Sequence, residues 1–226
     1  MKVFLDVGAH EGSTLLAVRD PKYAFDRIYC FEPASSCWPA LERLADARVT
    51  ICRFGLWNQT TTRTLYDPGS RGASMYADKF RDAPTHEEIK LVRASDWFRE
   101  NVRDGDDVFM KLNCEGAEVD IVEDLLDSGL LAGVRSVMID PDVRKIPSQA
   151  HRERELRERL AASALANYAM EDEVMVGTTH RARIQHWLGV AGAEERTLRA
   201  RARQAAYVVR AALRGHREPL REALAR

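Results

Sequence analysis

Val3-Phe4-Leu5-Asp6-Val7-Gly8-Ala9-His10-Glu11-Gly12-Ser13-Thr14 opens the chain with an apolar run that stops at a glycine, reaches a second glycine four residues later and continues into two hydroxyl residues. The run 3–7 predicts a buried strand, and 12–19 predicts a helix. A strand, a Gly-x-x-x-Gly turn and a helix make a place where backbone can approach a ligand closely and where the helix start offers unpaired N–H groups. The dinucleotide fingerprint G-x-G-x-x-G is not matched, because position 10 is His and position 13 is Ser. No Gly-Lys-Ser/Thr loop occurs either, so a pyrophosphate ligand is disfavoured.

Outward from this unit, strand and helix signals alternate. Strands are predicted at 27–31, 48–52, 107–112 and 134–139, and helices at 36–46, 115–126 and 152–165. Ser95 reads as the cap of a short helix through Asn101. Thr-rich 60–66 reads as an exposed strand, Asp67-Pro68-Gly69-Ser70 as a turn, 71–88 as a mobile polar loop and 89–92 as a further strand. Two late strands near 168–176 and 181–188 read as a hairpin at the sheet edge. Such alternation predicts an α/β fold with a mostly parallel sheet and helices on both faces. The division expected is one domain over 1–190 and a helical extension over 191–226. There Leu198, Ala202, Ala205, Val209 and Ala212 recur at 4-3-4-3 spacing, which suggests a homodimer contact.

Composition sets outer bounds. The 226 residues are 45% hydrophobic and 31% charged, an ordinary globular balance that excludes general disorder. No run of about 18 apolar residues is present, which predicts no membrane span. The N-terminus lacks the apolar run of an export signal, and Cys30, Cys37, Cys52 and Cys114 form no CxxC pair. Reduced thiols in a cytoplasmic protein are therefore expected. Net charge is −1, but 151–226 carry 15 arginines against 10 acidic residues. That basic end alone does not demand nucleic acid.

Three pieces carry chemistry. The first is the turn, with Asp6, Gly8, Ala9, His10, Gly12, Ser13 and Thr14 as candidate cofactor residues. His10 faces either ligand or solvent. The second is Glu32-Pro33 directly after the second strand, where a carboxylate can accept both hydroxyls of a ribose. Together they describe a nucleoside site without a diphosphate, which S-adenosylmethionine fits. The third is Lys111-Leu112-Asn113-Cys114-Glu115-Gly116-Ala117-Glu118, at the carboxyl end of the strand expected beside the first. Glu115 and Glu118 are three apart and share one side of a first helical turn if the helix starts there. Either can act as general base or can merely complement the helix dipole. Lys111 is an electrostatic supporter, and Asp140 a further catalytic candidate. Asp140 and Asp142 flank a proline after the fifth strand, where they would bind an acceptor, help hold a hard cation or form a turn. His180 and His186 read as structural.

Phe4 to Gly12, Phe31-Glu32-Pro33 and Met110 to Glu118 together resemble the FkbM family of S-adenosylmethionine-dependent methyltransferases, over about residues 3–145. The resemblance implies a seven-strand class I methyltransferase fold and O-methylation of a sugar or natural-product hydroxyl. It places Gly55 and Leu56 near the adenine and Asn113 in the cofactor site. Many relatives have Asp where this chain has Asn113. Expected, then, is an O-methyltransferase with no dedicated metal ligands. The alternatives are a metal-assisted enzyme using a divalent cation such as magnesium, and a non-catalytic binding protein of the same fold. A nucleic-acid methyltransferase is disfavoured, since no Asn/Asp-Pro-Pro-Tyr/Phe motif occurs.

Overall fold

The computed structural model describes residues 1–82 and 85–193. Its centre is a sheet of six parallel strands: β1 (Lys2–Val7), β2 (Arg27–Phe31), β3 (Val49–Cys52), β7 (Asp107–Leu112), β8 (Val134–Ile139) and β9 (Tyr168–Met170). Their spatial order is β3-β2-β1-β7-β8-β9. Leu5 lies opposite Tyr29 on one side and Met110 on the other. The chain builds outward from β1 to β3, then crosses back and builds the other half from β7. The order reverses between β1 and β7, and in an open parallel sheet the ligand crevice lies outside the carboxyl ends of the strands at that reversal.

Helices cover both faces, so β1 and β7 are buried along almost their whole length, which is why they read as unbroken apolar runs. Alternate side chains feed two cores. Phe4, Ile28, Cys30 and Phe109 point to one face, under α1 (Ser13–Val18) and α7 (His180–Val190). There Phe25 packs edge-on against Phe4 and Phe109, with ring centroids 5.2 and 5.7 Å apart. Val3, Leu5, Tyr29 and Phe31 point to the other face, toward α3 (Ala94–Asn101), α4 (Glu118–Asp127) and α5 (Arg152–Ala162). Trp97 of α3 meets Phe31 and Tyr29 at 4.8 and 5.0 Å. The short helix α2 (Trp38–Leu44) joins β2 to β3.

A second, three-stranded sheet is inserted between β3 and α3. It contains β4 (Gly55–Trp57), β5 (Thr61–Tyr66) and β6 (His86–Arg93), in the order β4-β6-β5. Ile89 and Leu91 alternate with exposed neighbours along β6, so one face of this sheet is apolar and buried.

Several expectations change. The central sheet has six strands among the described residues, not seven, and the late hairpin does not form. Only Tyr168–Met170 is a strand, pairing parallel to β8, and the chain then enters α6 (Glu171–Val174) and α7. Ile184, Trp187 and Leu188 decide this: their spacing puts all three on one helical face, where they are fully buried, and Trp187 Nε1 donates to Ser136 Oγ at 3.2 Å. Ser95 does not cap α3 with its hydroxyl. Its N–H donates instead to Asp124 Oδ2 at 2.7 Å, a carboxylate from α4. The segment expected as a loop over 71–88 carries structure: Ser74 bridges to Tyr66 and is buried, and 77–79 form a helical turn. From residue 194 on, the helical extension expected over 191–226 lies outside the described residues. Among the described residues no helix is long and apolar enough to cross a membrane.

Candidate active site

The turn after β1 is held by the loop after β7. Gly8 has φ +80°, and a Cβ there would lie 1.9 Å from the Asn113 carbonyl oxygen, so the two backbones pass as closely as atoms allow. Asn113 N donates to the Val7 carbonyl at 3.2 Å. Lys111 Nζ staples this junction from below, donating to the carbonyls of Gly8 at 2.7 Å, Val7 at 3.3 Å and Asn113 at 3.4 Å. Its counter-ion is Asp6, at 3.3 Å and fully buried. Burial raises the Asp6 pKa, and Lys111 opposes that rise. Lys111 thus organises the turn, and its ammonium is already engaged.

Above the junction opens a cavity of about 270 Å³ at the carboxyl ends of β1, β2 and β7. That is near the lower end of the range for small-molecule sites. Of the predicted residues, Gly8, Ala9, His10, Ser13, Thr14, Glu32, Pro33, Gly55, Leu56, Lys111, Asn113 and Glu115 line it. Asp6, Gly12, Glu118 and Asp140 are absent from the wall. Gly12 packs behind the turn, where a Cβ would press on Leu44 of α2.

Glu32 sits on the wall in a fixed pose. Its Oε2 accepts from His10 N at 2.7 Å and its Oε1 from Ala34 N at 2.9 Å, while its carbonyl accepts from Trp38 Nε1 at 2.9 Å. Burial pushes its pKa up, and these two N–H donors pull it back. A carboxylate has about four lone-pair sites, so two remain for ligand hydroxyls. His10 is half-buried, and its Nε2 meets the Gly69 carbonyl at 2.9 Å. The second sheet closes the cavity with Leu56, Leu65, Ile89 and Leu91.

Glu115 and Glu118 separate. Glu115 has φ +57° in the turn before α4, so the pair never shares a helical turn. Glu118 is completely buried and folds back to accept from Cys114 N at 2.7 Å and Gly116 N at 2.9 Å. Burial, then the nearby Asp142, push its pKa up to about 7. It holds the turn and does not face the cavity. Glu115 does face it, ion-paired with Lys79 and 3.9 Å from Lys145. Asp140 lies outside, accepting from Asn113 Nδ2 at 2.6 Å and pairing with Arg144 at 2.9 Å. Asp142 is buried beside Lys145 at 2.7 Å, and burial raises its pKa. Of the acidic residues that a divalent cation would need, Glu115, Asp140 and Asp142 are each paired with a lysine or arginine, and Glu118 is turned onto the backbone N–H groups of Cys114 and Gly116. Among the described residues no group of three His, Cys, Asp or Glu side chains is arranged to hold a metal. The donor set therefore does not fit a cation.

Among the wall residues that sequence reading missed are His180, Ser70 and Arg71, whose side chains are polar or charged. His180, at the start of α7, bonds Thr14 Oγ1 through Nε2 at 2.9 Å. Ser70 and Arg71 follow the turn after β5 and line the cavity from the opposite side in sequence. The one available signal was the Asp67-Pro68-Gly69-Ser70 turn. His186 is exposed, in line with a role outside the site.

No protein-family model matches the chain, and no curated protein matches it. Among solved structures it is similar to the methyltransferase FkbM from Methylobacillus flagellatus KT, at 20% identity and a TM-score of 0.38. The match covers 56% of this chain and 29% of that one.

Proposed function

We propose that the protein is an S-adenosylmethionine-dependent O-methyltransferase acting on a hydroxyl of a sugar-containing or natural-product acceptor. The observation that carries this reading is Glu32. A fixed carboxylate faces the cavity at the sheet's reversal point, beside a glycine turn without the sequence fingerprint of a pyrophosphate site. When bound, S-adenosylmethionine supplies a methyl group already activated by the sulfonium charge.

The chain's own residues then have limited tasks. Glu32 accepts the two ribose hydroxyls on its remaining lone pairs, and Leu56, Leu65, Ile89 and Leu91 supply an apolar wall. Lys111 keeps the carbonyls of Gly8 and Asn113 in place. Glu115 takes the proton of the acceptor hydroxyl, with Lys79 fixing the orientation of its carboxylate. Positioning of this kind lowers a barrier by about 7–11 kcal/mol, and a placed base adds about 10²–10⁴ in rate.

Titration with S-adenosylhomocysteine and with NAD, followed by a methyl-transfer screen over glycosides, tests the reading. Tighter binding of S-adenosylhomocysteine and turnover of at least one glycoside are expected. Glu115→Gln should keep cofactor affinity and lose at least about 10² in turnover. Preferential NAD binding would remove the cofactor assignment, and near-normal turnover in Glu115→Gln would remove Glu115 as base.

A further inference from the structure

The loop over Gly69-Ser70-Arg71 carries groups that the steps above leave unused. His10 Nε2 bonds the Gly69 carbonyl and pins the loop over the turn after β1. Gly69 packs so tightly on Ser36 that a Cβ there would lie 2.5 Å from its Oγ. The two residues that follow both line the cavity. Ser70 Oγ is buried and has no hydrogen-bond partner among the described residues. Arg71 makes no hydrogen bond or ion pair among them either. A buried hydroxyl with no partner is an unmet demand. A free guanidinium on a cavity wall presents a planar fork matched to two oxygens.

The surroundings favour negative charge. Lys111 is engaged by Asp6 and three carbonyls, and Arg183 donates to the Gly177 carbonyl at 3.0 Å. His180 faces these groups from α7. Burial, then the cations Lys111, Arg71 and Arg183, hold its pKa down to about 4, so it adds no charge at neutral pH. The acidic wall residues Glu32 and Glu115 are occupied by backbone N–H groups and by Lys79. Arg71 is the wall cation that still lacks a counter-ion.

We propose that Ser70 and Arg71 bind a carboxylate of the ligand, Arg71 through its fork and Ser70 through its hydroxyl. The assignment rests on the cofactor reading above. Two sources bring a carboxylate there: the amino-acid end of the cofactor, or an acidic sugar acceptor. The His10 tether, which ties this loop to the cofactor turn, favours the first.

Calorimetry on the full chain separates them. Wild type, Arg71→Ala, Arg71→Lys and Ser70→Ala are titrated with S-adenosylhomocysteine and with 5′-methylthioadenosine, which lacks the carboxylate. Arg71→Ala should weaken S-adenosylhomocysteine about 10- to 100-fold and 5′-methylthioadenosine less than about 2-fold. Arg71→Lys should fall between, and Ser70→Ala should lose about 3- to 10-fold. Arg71 is exposed, and an unchanged melting temperature will show that the variants fold. A parallel titration uses methyl glucuronoside and methyl glucoside with S-adenosylhomocysteine present. Loss confined to the glucuronoside assigns the same carboxylate site to the acceptor. Equal affinities of wild type and Arg71→Ala for both carboxylate ligands overturn the proposal. Failure of the wild type to bind either nucleoside overturns the cofactor reading and this assignment with it.

Discussion

Replacing Glu118 with Gln should change how stability depends on pH, in a direction fixed by its burial. The carboxyl is fully buried and keeps its proton up to about pH 7, against 4.5 for an ordinary glutamate. Below pH 4.5 it is protonated in both folded and unfolded chains and contributes no pH dependence. Above that the unfolded chain releases the proton first, so folding loses stability as pH rises, until the folded carboxyl ionises near 7. At about 1.36 kcal/mol per pH unit, the loss comes to about 3 kcal/mol between pH 4.5 and 7. Gln resembles the protonated acid and does not titrate. Its single acceptor oxygen leaves either Cys114 N or Gly116 N without a partner, a cost of about 1–3 kcal/mol at every pH. Urea unfolding of both proteins at half-unit steps from pH 5 to 8 reads the difference directly. The stability of Glu118→Gln relative to wild type should improve by about 2–3 kcal/mol across that range. Asp142 adds to the same trend, since removing the Glu118 charge makes its own ionisation easier. Parallel stability curves for the two proteins would refute the reasoning.

Other changes test the site piece by piece. Glu32→Ala removes two ligand acceptors and should weaken S-adenosylhomocysteine by about 2–4 kcal/mol in calorimetry; an unchanged dissociation constant would mean that the ribose lies elsewhere. Gly8→Ala forces a Cβ against the Asn113 carbonyl at positive φ and should lower stability by about 2–4 kcal/mol, read as a drop in urea midpoint. Lys79→Met frees Glu115 and the Gly72 carbonyl, which Lys79 now holds at 2.8 Å. It should speed limited proteolysis within 71–82, and an unchanged cleavage rate would speak against that anchoring. Burial pushes the Cys52 and Cys37 thiols up to about 12 and 11, so both should resist a disulfide reagent at pH 8 until the protein is unfolded.

The parts legible in the sequence were those where one segment carries its own signal. β1 and β7 read correctly because a parallel strand buried on both faces must be apolar throughout. The position of Glu32 on the cavity wall was legible from its place after β2. The Glu115/Glu118 pair was misread because helix spacing was extended three residues too far toward the N-terminus. Glu115 and Gly116 both have positive φ, and the glycine after Glu115 was the available warning. Asp140 was placed by its strand, but its partners Arg144 and Asn113 turn it from the cavity. α7 was mistaken for a strand although Ile184, Trp187 and Leu188 carried the helical spacing. Ser70, Arg71 and His180 meet the turn after β1 only through tertiary contacts more than 50 residues apart, such as His10 with Gly69 and Thr14 with His180. No local pattern encodes such a meeting.

The second sheet has an architectural consequence. One wall of the cavity comes from a continuous stretch, 55–93, while the opposite wall is assembled from the ends of strands scattered from β1 to β7. Leu65, Ile89 and Leu91 can therefore be exchanged together, as a single cassette, without touching the Gly8–Asn113 crossing or the Lys111 staple. A protein divided in this way can diversify what it accepts while its reversal point stays constant. The same division offers engineers a natural cut: grafts ending at Gly55 and Arg93 enter and leave on two neighbouring parallel strands, two residues apart in register, since Gly55 lies opposite Leu91 and Trp57 opposite Arg93.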